Sequence, residues 1–334
     1  MVDRILVVGG AGFIGSHVCK ALAASDFLPV VFDNLSGGRR DAVRWGPLYE
    51  GDMRDPDALD RAFKRHDPSA VIHLAGHIAA GESVVDPQKY YDANVGGFLS
   101  LLDAIRRHGV RSIVFSSSAA VYGDAADMPI RENAPMSPTN PYGWTKAMSE
   151  IMLQNYAVYG LNSVSLRYFN AAGADPDGEI GELHDPETHL IPLILEVAAG
   201  LRPHIDVFGT DHPTPDGTCI RDYVHVEDLA SAHVLALRAL LEGRVHGAAA
   251  YNLGNGQGYS VFEVIAAVEA VTGVRIPTRH GPARAGDPPR LVADSSEAER
   301  VLNWRQDHAD LASQIAHAWA FLRTHRFEHL RSVS

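Results

Sequence analysis

The alternation of apolar and polar positions along the first half of the chain predicts a parallel α/β sheet. Residues 5–8 form a short, wholly apolar run, as a strand buried on both faces requires. Further strands are expected at 29–32, 70–74, 112–118 and 163–169, and another short one just before Asp52. Between them lie stretches with helical spacing, at 16–24, 55–66, 90–108 and 141–160. Strand and helix in regular alternation argue for a doubly wound sheet. Two of the helices carry two apolar stripes each. On 90–108 the stripes are Val95, Phe98, Leu99, Leu102 and Ile105, then Tyr90, Gly97, Leu101 and Ala104. On 141–160 they are Ala147/Ile151 and Met148/Met152/Tyr159. Such helices are expected to bury one face on the sheet and the other against a further surface.

After Asn170 the pattern loosens into a Gly/Pro/acid-rich stretch at 171–178, which is the best domain boundary. This divides the chain into a domain at 1–173 and a smaller mixed α/β domain at 174–334. The second half predicts a helix at 190–200 and a strand at 206–208. A strand at 218–224, a helix at 227–241 and a strand at 249–253 are expected to return to the first sheet.

The first strand ends in Gly9-Gly-Ala-Gly12-Phe-Ile-Gly15 and runs into a helix. Glycines there let backbone N–H groups approach a pyrophosphate at the helix N-terminus, whose dipole favours anions. The second strand ends at Asp33. An acid in that register accepts from ribose hydroxyls and repels a 2′-phosphate, so NAD is expected rather than NADP. The fold class is then a Rossmann-type doubly wound parallel sheet with a smaller mixed α/β substrate domain.

Tyr142-Gly-Trp-Thr-Lys146 follows Asn140-Pro141, a good cap and a first-turn proline. Tyr142 and Lys146 therefore share a helix face. A phenol titrates near ~10, so a phenolate base at neutral pH needs about 3 units of help, which a nearby ammonium, and a cofactor cation if one is present, supply in sign. An isolated Tyr-x-x-x-Lys is more often a surface pair. Here Ser118 ends the fifth strand at the carboxyl edge, where open α/β sheets bind ligands, and can share the substrate hydroxyl with Tyr142.

Composition narrows the partners. A net charge of −12 argues against nucleic acid or an anionic membrane, while leaving room for an anionic ligand in a locally basic pocket. Two cysteines, Cys19 and Cys219, cannot build a disulfide framework. The N-terminus has no signal-like apolar core and no apolar run reaches ~18 residues, so a cytoplasmic protein is expected.

Gly9-x-x-Gly12-x-x-Gly15, Asp33, Asn94, Ser118 and Tyr142-x-x-x-Lys146 together resemble the extended short-chain dehydrogenase/reductase superfamily. Within it, Gly81-Glu-Ser83, Tyr90-Tyr-Asp92, the stretch 115–123, Pro141-Tyr-Gly143 and Leu166-Arg-Tyr-Phe-Asn170 resemble the UDP-glucose 4-epimerase (UDP-galactose 4-epimerase) family. So do Pro213-Thr-Pro-Asp-Gly-Thr218, Arg221-Asp-Tyr-Val-His225 and Tyr251-Asn-Leu-Gly254, and the likeness runs over nearly the whole chain. It implies epimerisation at C4 of UDP-hexoses through a 4-keto intermediate, with NAD retained. The implied NAD contacts are Phe13, Ile14, Asp33, Asn34, Asp52, Met53, Leu74, Ala75, Gly76 and Ile78, completed by Asn94, Tyr142, Lys146 and Phe169. Ser118 and Tyr142 are the implied catalytic pair, with Lys146 on the nicotinamide ribose and lowering the phenol pKa.

For the UDP-sugar, the resemblance implies Arg221 and Arg284 on the pyrophosphate and Asp287 on the uridine ribose. His189 and Leu190 would lie beside the uridine phosphates, with Asn170, Asp206 and Phe208 framing sugar and uracil. The two-striped helices match those that pair across the family's homodimer interface.

Three positions depart from the pattern. Ile78 stands where some relatives have Lys, Ala120 replaces a Thr, and Leu291 occupies a gate that is Tyr in enzymes restricted to glucose and galactose. Leu291 leaves a UDP-N-acetylglucosamine or dual-specificity epimerase as the alternative. A nucleotide-sugar 4,6-dehydratase needs an Asp-Glu pair where this chain has Ala119 and Ala120, and a non-catalytic NAD sensor would not need the intact Ser/Tyr/Lys set. His184-Asp-Pro-Glu-Thr-His189 is read as a polar loop, with no metal expected.

Overall fold

The structure is a computed structural model that describes residues 2–284 and 287–331, excluding the side chains of 326–331. The first half runs β1 (Arg4–Val8), α1 (Phe13–Ala24), β2 (Leu28–Asp33), β3 (Leu48–Glu50), α2 (Pro56–His66) and β4 (Ala70–His73). It continues through α3 (Ala80–Val85), α4 (Pro87–Tyr90), α5 (Gly97–Arg107), β5 (Ser112–Ser118), α6 (Pro141–Tyr156) and β6 (Asn162–Tyr168). The second half opens with β7 (Asn170–Ala172), α7 (Leu190–Ala198), β8 (Ile205–Phe208), β9 (Ile220–His225) and α8 (Val226–Leu241). Then come β10 (Ala248–Leu253), β11 (Gly258–Ser260), α9 (Val261–Thr272), β12 (Thr278–Gly281), β13 (Arg290–Leu291), α10 (Ser296–Leu302) and α11 (Leu311–Arg331).

Seven strands form one sheet in the order β10-β6-β5-β4-β1-β2-β3, every pair parallel. The period of two in a strand divides the core between its faces. Ile5 and Val7 face α1 and α8, packing with Val18, Leu22, Leu229 and Leu237. Leu6 and Val8 face α2 and α5, packing with Leu59, Phe63, Phe98 and Leu102. Each such side chain contributes about 1.5–3 kcal/mol relative to exposure, which is why these runs carry no polar alternation.

Of the three later segments expected in this sheet, β10 pairs with β6 and α8 packs on α1. The strand expected at 218–224 does not join it. As β9 it pairs instead with β7, β11 and β13 in a second sheet, because the chain leaves β6 at Phe169 and enters β7 directly, which gives β9 a parallel neighbour there. A separate parallel pair, β8 with β12, lies beside α7. The carboxyl end of β6 therefore passes straight into the second sheet.

The helix expected at 90–108 is not uniform. Tyr90 closes α4, residues Tyr91–Gly96 form a wider π-helical turn, and α5 follows. Its stripes also divide differently from the expectation: Phe98, Leu101, Leu102, Ala104 and Ile105 are buried together, while Leu99 is exposed. On α6, Ala147 is buried but Ile151, four residues on, is exposed together with Trp144 and Met148. The wide turn adds a residue to one coil of the 90–108 helix and so rotates α5 relative to α4.

Candidate active site

The residues singled out in the first half converge at the carboxyl edge of β1, β4 and β5. Asn140 caps α6 by accepting from the Gly143 N–H at 2.9 Å, and Pro141 fills the first turn, as the sequence predicts. The Tyr142 N–H, one of the helix's free donors, is taken by the Ser83 hydroxyl at 3.1 Å. Thr145 Oγ1 donates to the Tyr142 carbonyl at 2.7 Å and accepts from Asn94 Nδ2 at 3.1 Å. Asn94, at the centre of the π-helical turn, also exchanges hydrogen bonds with the His77 backbone, accepting at 2.8 Å and donating at 3.0 Å. The widened turn thus aims one side chain into the site and ties α6 to the loop after β4.

Lys146 is buried and donates from Nζ to the Ser116 carbonyl at 2.8 Å, with the Tyr142 ring centroid 5.9 Å away. Burial lowers its pKa to about 8, against the opposing pull of Glu150. Burial lifts the Tyr142 phenol above its ordinary value, and a hydrogen bond with Ser118 opposes the rise. The sequence expects Lys146 together with a cofactor cation to favour the phenolate in sign; in the protein by itself desolvation of the phenolate dominates. A further cation beside the ring is needed to reverse it.

Behind Lys146 lies a charge assembly that the sequence reading did not assign. Arg167 of β6 donates to Glu150 of α6 from Nε at 3.0 Å and from Nη2 at 2.6 Å. It also donates to the Tyr122 hydroxyl at 2.9 Å and the Glu132 carbonyl at 3.0 Å, and Ser117 donates to the same glutamate. Arg167 belongs to a quoted motif, yet nothing in its spacing says that it turns inward. Ser83 and Thr145 were missed for the same reason.

The glycine turn has the shape a dinucleotide needs. A Cβ on Gly9, at φ +85°, would lie 2.5 Å from the Ala75 nitrogen, and one on Gly15 would lie 2.1 Å from the Gly9 carbonyl. Gly12, by contrast, caps α1 with its Cβ direction facing nothing closer than 3.4 Å, so a side chain there would project into ligand space. Asp33 accepts from the Ala11 N–H at 3.0 Å and the Leu35 N–H at 2.8 Å, bracing the turn while keeping lone pairs free. Asp52 is bonded to Asn34 at 3.0 Å and to Arg54 at 2.7 Å, which hold its carboxyl well below the usual range. Met53, Leu74, Ala75, Gly76 and Phe13–Ile14 border the same edge, and Ile78 is exposed. These residues fit a dinucleotide.

The second half carries Arg221 on the second sheet and Arg284 beside β8. Ala119, Tyr122, Ala147, Phe169 and Ala293 form one buried cluster against which Leu291 packs, joining the end of β5 and α6 to the second sheet. Leu291 and Arg221 are register partners, and Arg221 pairs with Asp287. The Arg284 guanidinium lies 4.3 Å from the centre of the Phe208 ring. Asn170 begins β7 opposite Tyr223. Asp206, one residue pair along from Phe208, is held by Arg279 at 2.6 Å, a partner the sequence reading did not foresee. His189 sits at the start of α7, just before Leu190, without a side-chain capping bond.

A glycine turn that opens a helix and a buried Lys beside a Tyr near the end of β5 describe a dinucleotide-dependent oxidoreductase core. The chain belongs to the NAD dependent epimerase/dehydratase family, whose model matches residues 5–254. It is 50% identical over 318 residues to the UDP-glucose 4-epimerase of Rhizobium meliloti (strain 1021), covering 95% of this chain and 96% of that protein. It is similar to a crystal structure of UDP-glucose 4-epimerase from Brucella ovis in complex with NAD, with a TM-score of 0.92, 51% identity, and 96% of this chain and 98% of that chain covered. The Bifidobacterium longum UDP-glucose 4-epimerase in complex with NAD+ and UDP is 37% identical with a TM-score of 0.92, over 97% of this chain and 99% of that one.

Proposed function

We propose that the protein epimerises UDP-hexoses at C4, interconverting UDP-glucose and UDP-galactose. The observation that carries the reading is Tyr142 and buried Lys146 on one helix, with Lys146 Nζ bonded to the Ser116 carbonyl at 2.8 Å on the strand that ends at Ser118. Tyr142 takes the proton of the sugar 4-hydroxyl and Ser118 holds the same oxygen, so that C4 becomes a ketone. NAD, when bound, supplies an acceptor and then a donor of the same hydride, so the reaction needs no outside oxidant. Lys146 and Asn94 orient the ribose side of the site, and Gly9, Gly12 and Gly15 leave room for the pyrophosphate. Arg221 and Arg284 hold the UDP, and guanidinium forks suit phosphate oxygens. The 4-keto sugar, anchored only through its UDP, turns over and presents the opposite face, after which Tyr142 returns the proton.

Leu291 packs beside Phe169 and Tyr122. The relatives described above are named for UDP-glucose, which favours the plain hexose pair. The domains at 1–173 and 174–334 then carry cofactor and UDP-sugar respectively, with β10 and α8 completing the first. The free cysteines accord with a reducing cytoplasm, and no helix among the described residues is long and apolar enough to cross a membrane. We further infer a homodimer, because Leu99 of α5 and Trp144, Met148 and Ile151 of α6 expose apolar side chains on adjoining helices. Light scattering should give a dimer that Ile151→Glu splits; a monomeric parent rejects this. The decisive assay is UDP-galactose alone: UDP-glucose should form without added oxidant, and an unchanged substrate overturns the reading.

A further inference from the structure

The loop leading into α7 gathers four side chains that the proposed reaction leaves without a shared role. Glu182, His184, Glu187 and His189 each offer one donor atom, and these atoms all lie within 4.8 Å of one another. His189 Nδ1 is 2.7 Å from Glu182 Oε1 and 3.3 Å from Glu187 Oε1. His184 Nδ1 is 3.1 Å from the same oxygen of Glu182 and 3.7 Å from Glu187 Oε2. We propose that these four residues form a structural site for a divalent metal ion of the zinc class.

Donors at zinc's usual bond lengths occupy the corners of a tetrahedron with edges of about 3.3–3.6 Å. The nitrogen–oxygen separations run from 2.7 to 3.7 Å, to Oε1 of Glu182 and to either oxygen of Glu187, and the four donor atoms lie within 4.8 Å of one another. Closing on an ion then draws the wider separations in towards that edge. Two imidazoles with two carboxylates suit zinc and its neighbours, whereas calcium and magnesium prefer all-oxygen shells. The two carboxylates also neutralise a dication. Glu182 and Glu187 side chains are only 7% and 3% exposed, and two anions are costly in so dry a place without positive charge between them.

The site is braced from behind. Glu187 Oε1 accepts the Thr188 N–H at 2.7 Å and the His189 N–H at 2.9 Å, fixing the carboxylate and leaving Oε2 directed towards His184. The His189 Nδ1 is buried and has no aligned hydrogen bond, although a carboxylate oxygen stands close by. Without a metal, the same cluster holds together as imidazolium–carboxylate pairs: burial opposes the charge, but the two glutamates outweigh it and raise His184 to about 9 and His189 to about 10. That is the rival to be separated from the proposal. Sequence alone argues against a metal because the two histidines look like an ordinary polar loop. The fold adds Glu182 from outside that stretch and turns Glu187 towards the two rings.

The position gives the ion a purpose. Gly181, Leu183 and His184 share a crevice with Gly12, Phe13 and Ser16 of the cofactor turn. The same loop ends at His189, where α7 begins. A metal there staples the strap that runs from the cofactor turn to the nucleotide half. It acts on order in this loop rather than on the sugar.

The test uses the full chain, stripped with a chelator and then titrated calorimetrically with zinc chloride and, separately, with cobalt(II). About one ion should bind per chain, the cobalt protein should show the intense visible bands of tetrahedral coordination, and zinc should raise the unfolding temperature. Glu182→Gln and His184→Ala should each weaken zinc binding by more than the roughly 10–100-fold that losing a partner behind a ligand costs. If a variant does not fold, by far-ultraviolet circular dichroism, the parent's cobalt spectrum decides. No binding by the stripped parent, octahedral cobalt bands, or equal zinc affinity in parent and folded variants overturns the proposal and leaves an ion-pair cluster only. None of these readouts depends on epimerisation, so failure of the UDP-galactose assay would leave them intact.

Discussion

The two sides of the site hold their charges in opposite ways. Beneath the Tyr142 helix, Arg167 and Glu150 are 6% and 2% exposed, and the arginine's donors are spent on that carboxylate, a tyrosine hydroxyl and a backbone carbonyl. On the nucleotide side, Arg221 meets Asp287 with 12% and 28% of their side chains exposed, and Arg284 rests on an aromatic ring. A dry, fully bonded pair cannot exchange partners without a large desolvation penalty, so it positions. A half-open pair can trade a carboxylate for a phosphate, so it binds. On the proposed reading, the site is rigid where the proton would move and exchangeable where the substrate would be anchored.

The comparison breaks most sharply at Tyr142. Tyr142→Phe should lower kcat by about 10²–10⁴-fold with KM little changed, as removal of a proton-transferring group does. Steady-state conversion of UDP-galactose checks it, and a loss below tenfold would move the base elsewhere. Next comes Arg167→Ala, which strands a buried carboxylate and should cost about 3–5 kcal/mol in urea unfolding. A much smaller loss would mean that the pair is not braced as described.

Arg221→Ala should do the reverse, removing charge-assisted hydrogen bonds worth about 1.5–3 kcal/mol from substrate binding while barely moving the urea midpoint. Its signature is a raised KM with stability intact. The subtlest effect concerns pH. Lys146 sits at about 8, with burial lowering it and Glu150 holding it up. If its positive charge serves the reaction, kcat/KM should fall above about pH 8, and Glu150→Gln should draw that limb to lower pH. Because folding lowers this pKa, the unfolded chain binds the proton more tightly between about 8 and the ordinary lysine value, so this ionisation adds to stability as pH rises through that window. Rate and stability should therefore respond in opposite directions; an alkaline limb unmoved by Glu150→Gln would separate Lys146 from that glutamate.

The two sides also differ in how far they could be read from the chain. The strand runs, the glycine turn and the Asn140–Pro141 entry each rest on local chemistry, and β1, β2, β5 and the start of α6 fall where that chemistry puts them. The π-helical turn at Tyr91–Gly96 has no such signature, since one extra residue in a coil leaves hydrophobic spacing almost unchanged, so the helix expected at 90–108 was drawn as one uniform coil. β9 was misplaced because a strand of six residues with mixed apolar and charged positions suits either sheet, and only the direct passage from β6 into β7 decides between them. Ser83, Thr145 and Glu150 act through contacts made by residues far apart in the chain, or by turns of backbone that spacing does not reveal.

Asp33 shows how entangled such contacts become. Its two oxygens hold the amides of Ala11 and Leu35, and Leu35 keeps a left-handed backbone at φ +58°. An engineer wishing to retune the enzyme towards a phosphorylated dinucleotide would thus find no free dial at this position. Exchanging the acid for a neutral residue also unfastens both anchors of the loop, so a working redesign has to rebuild 34–39 alongside it.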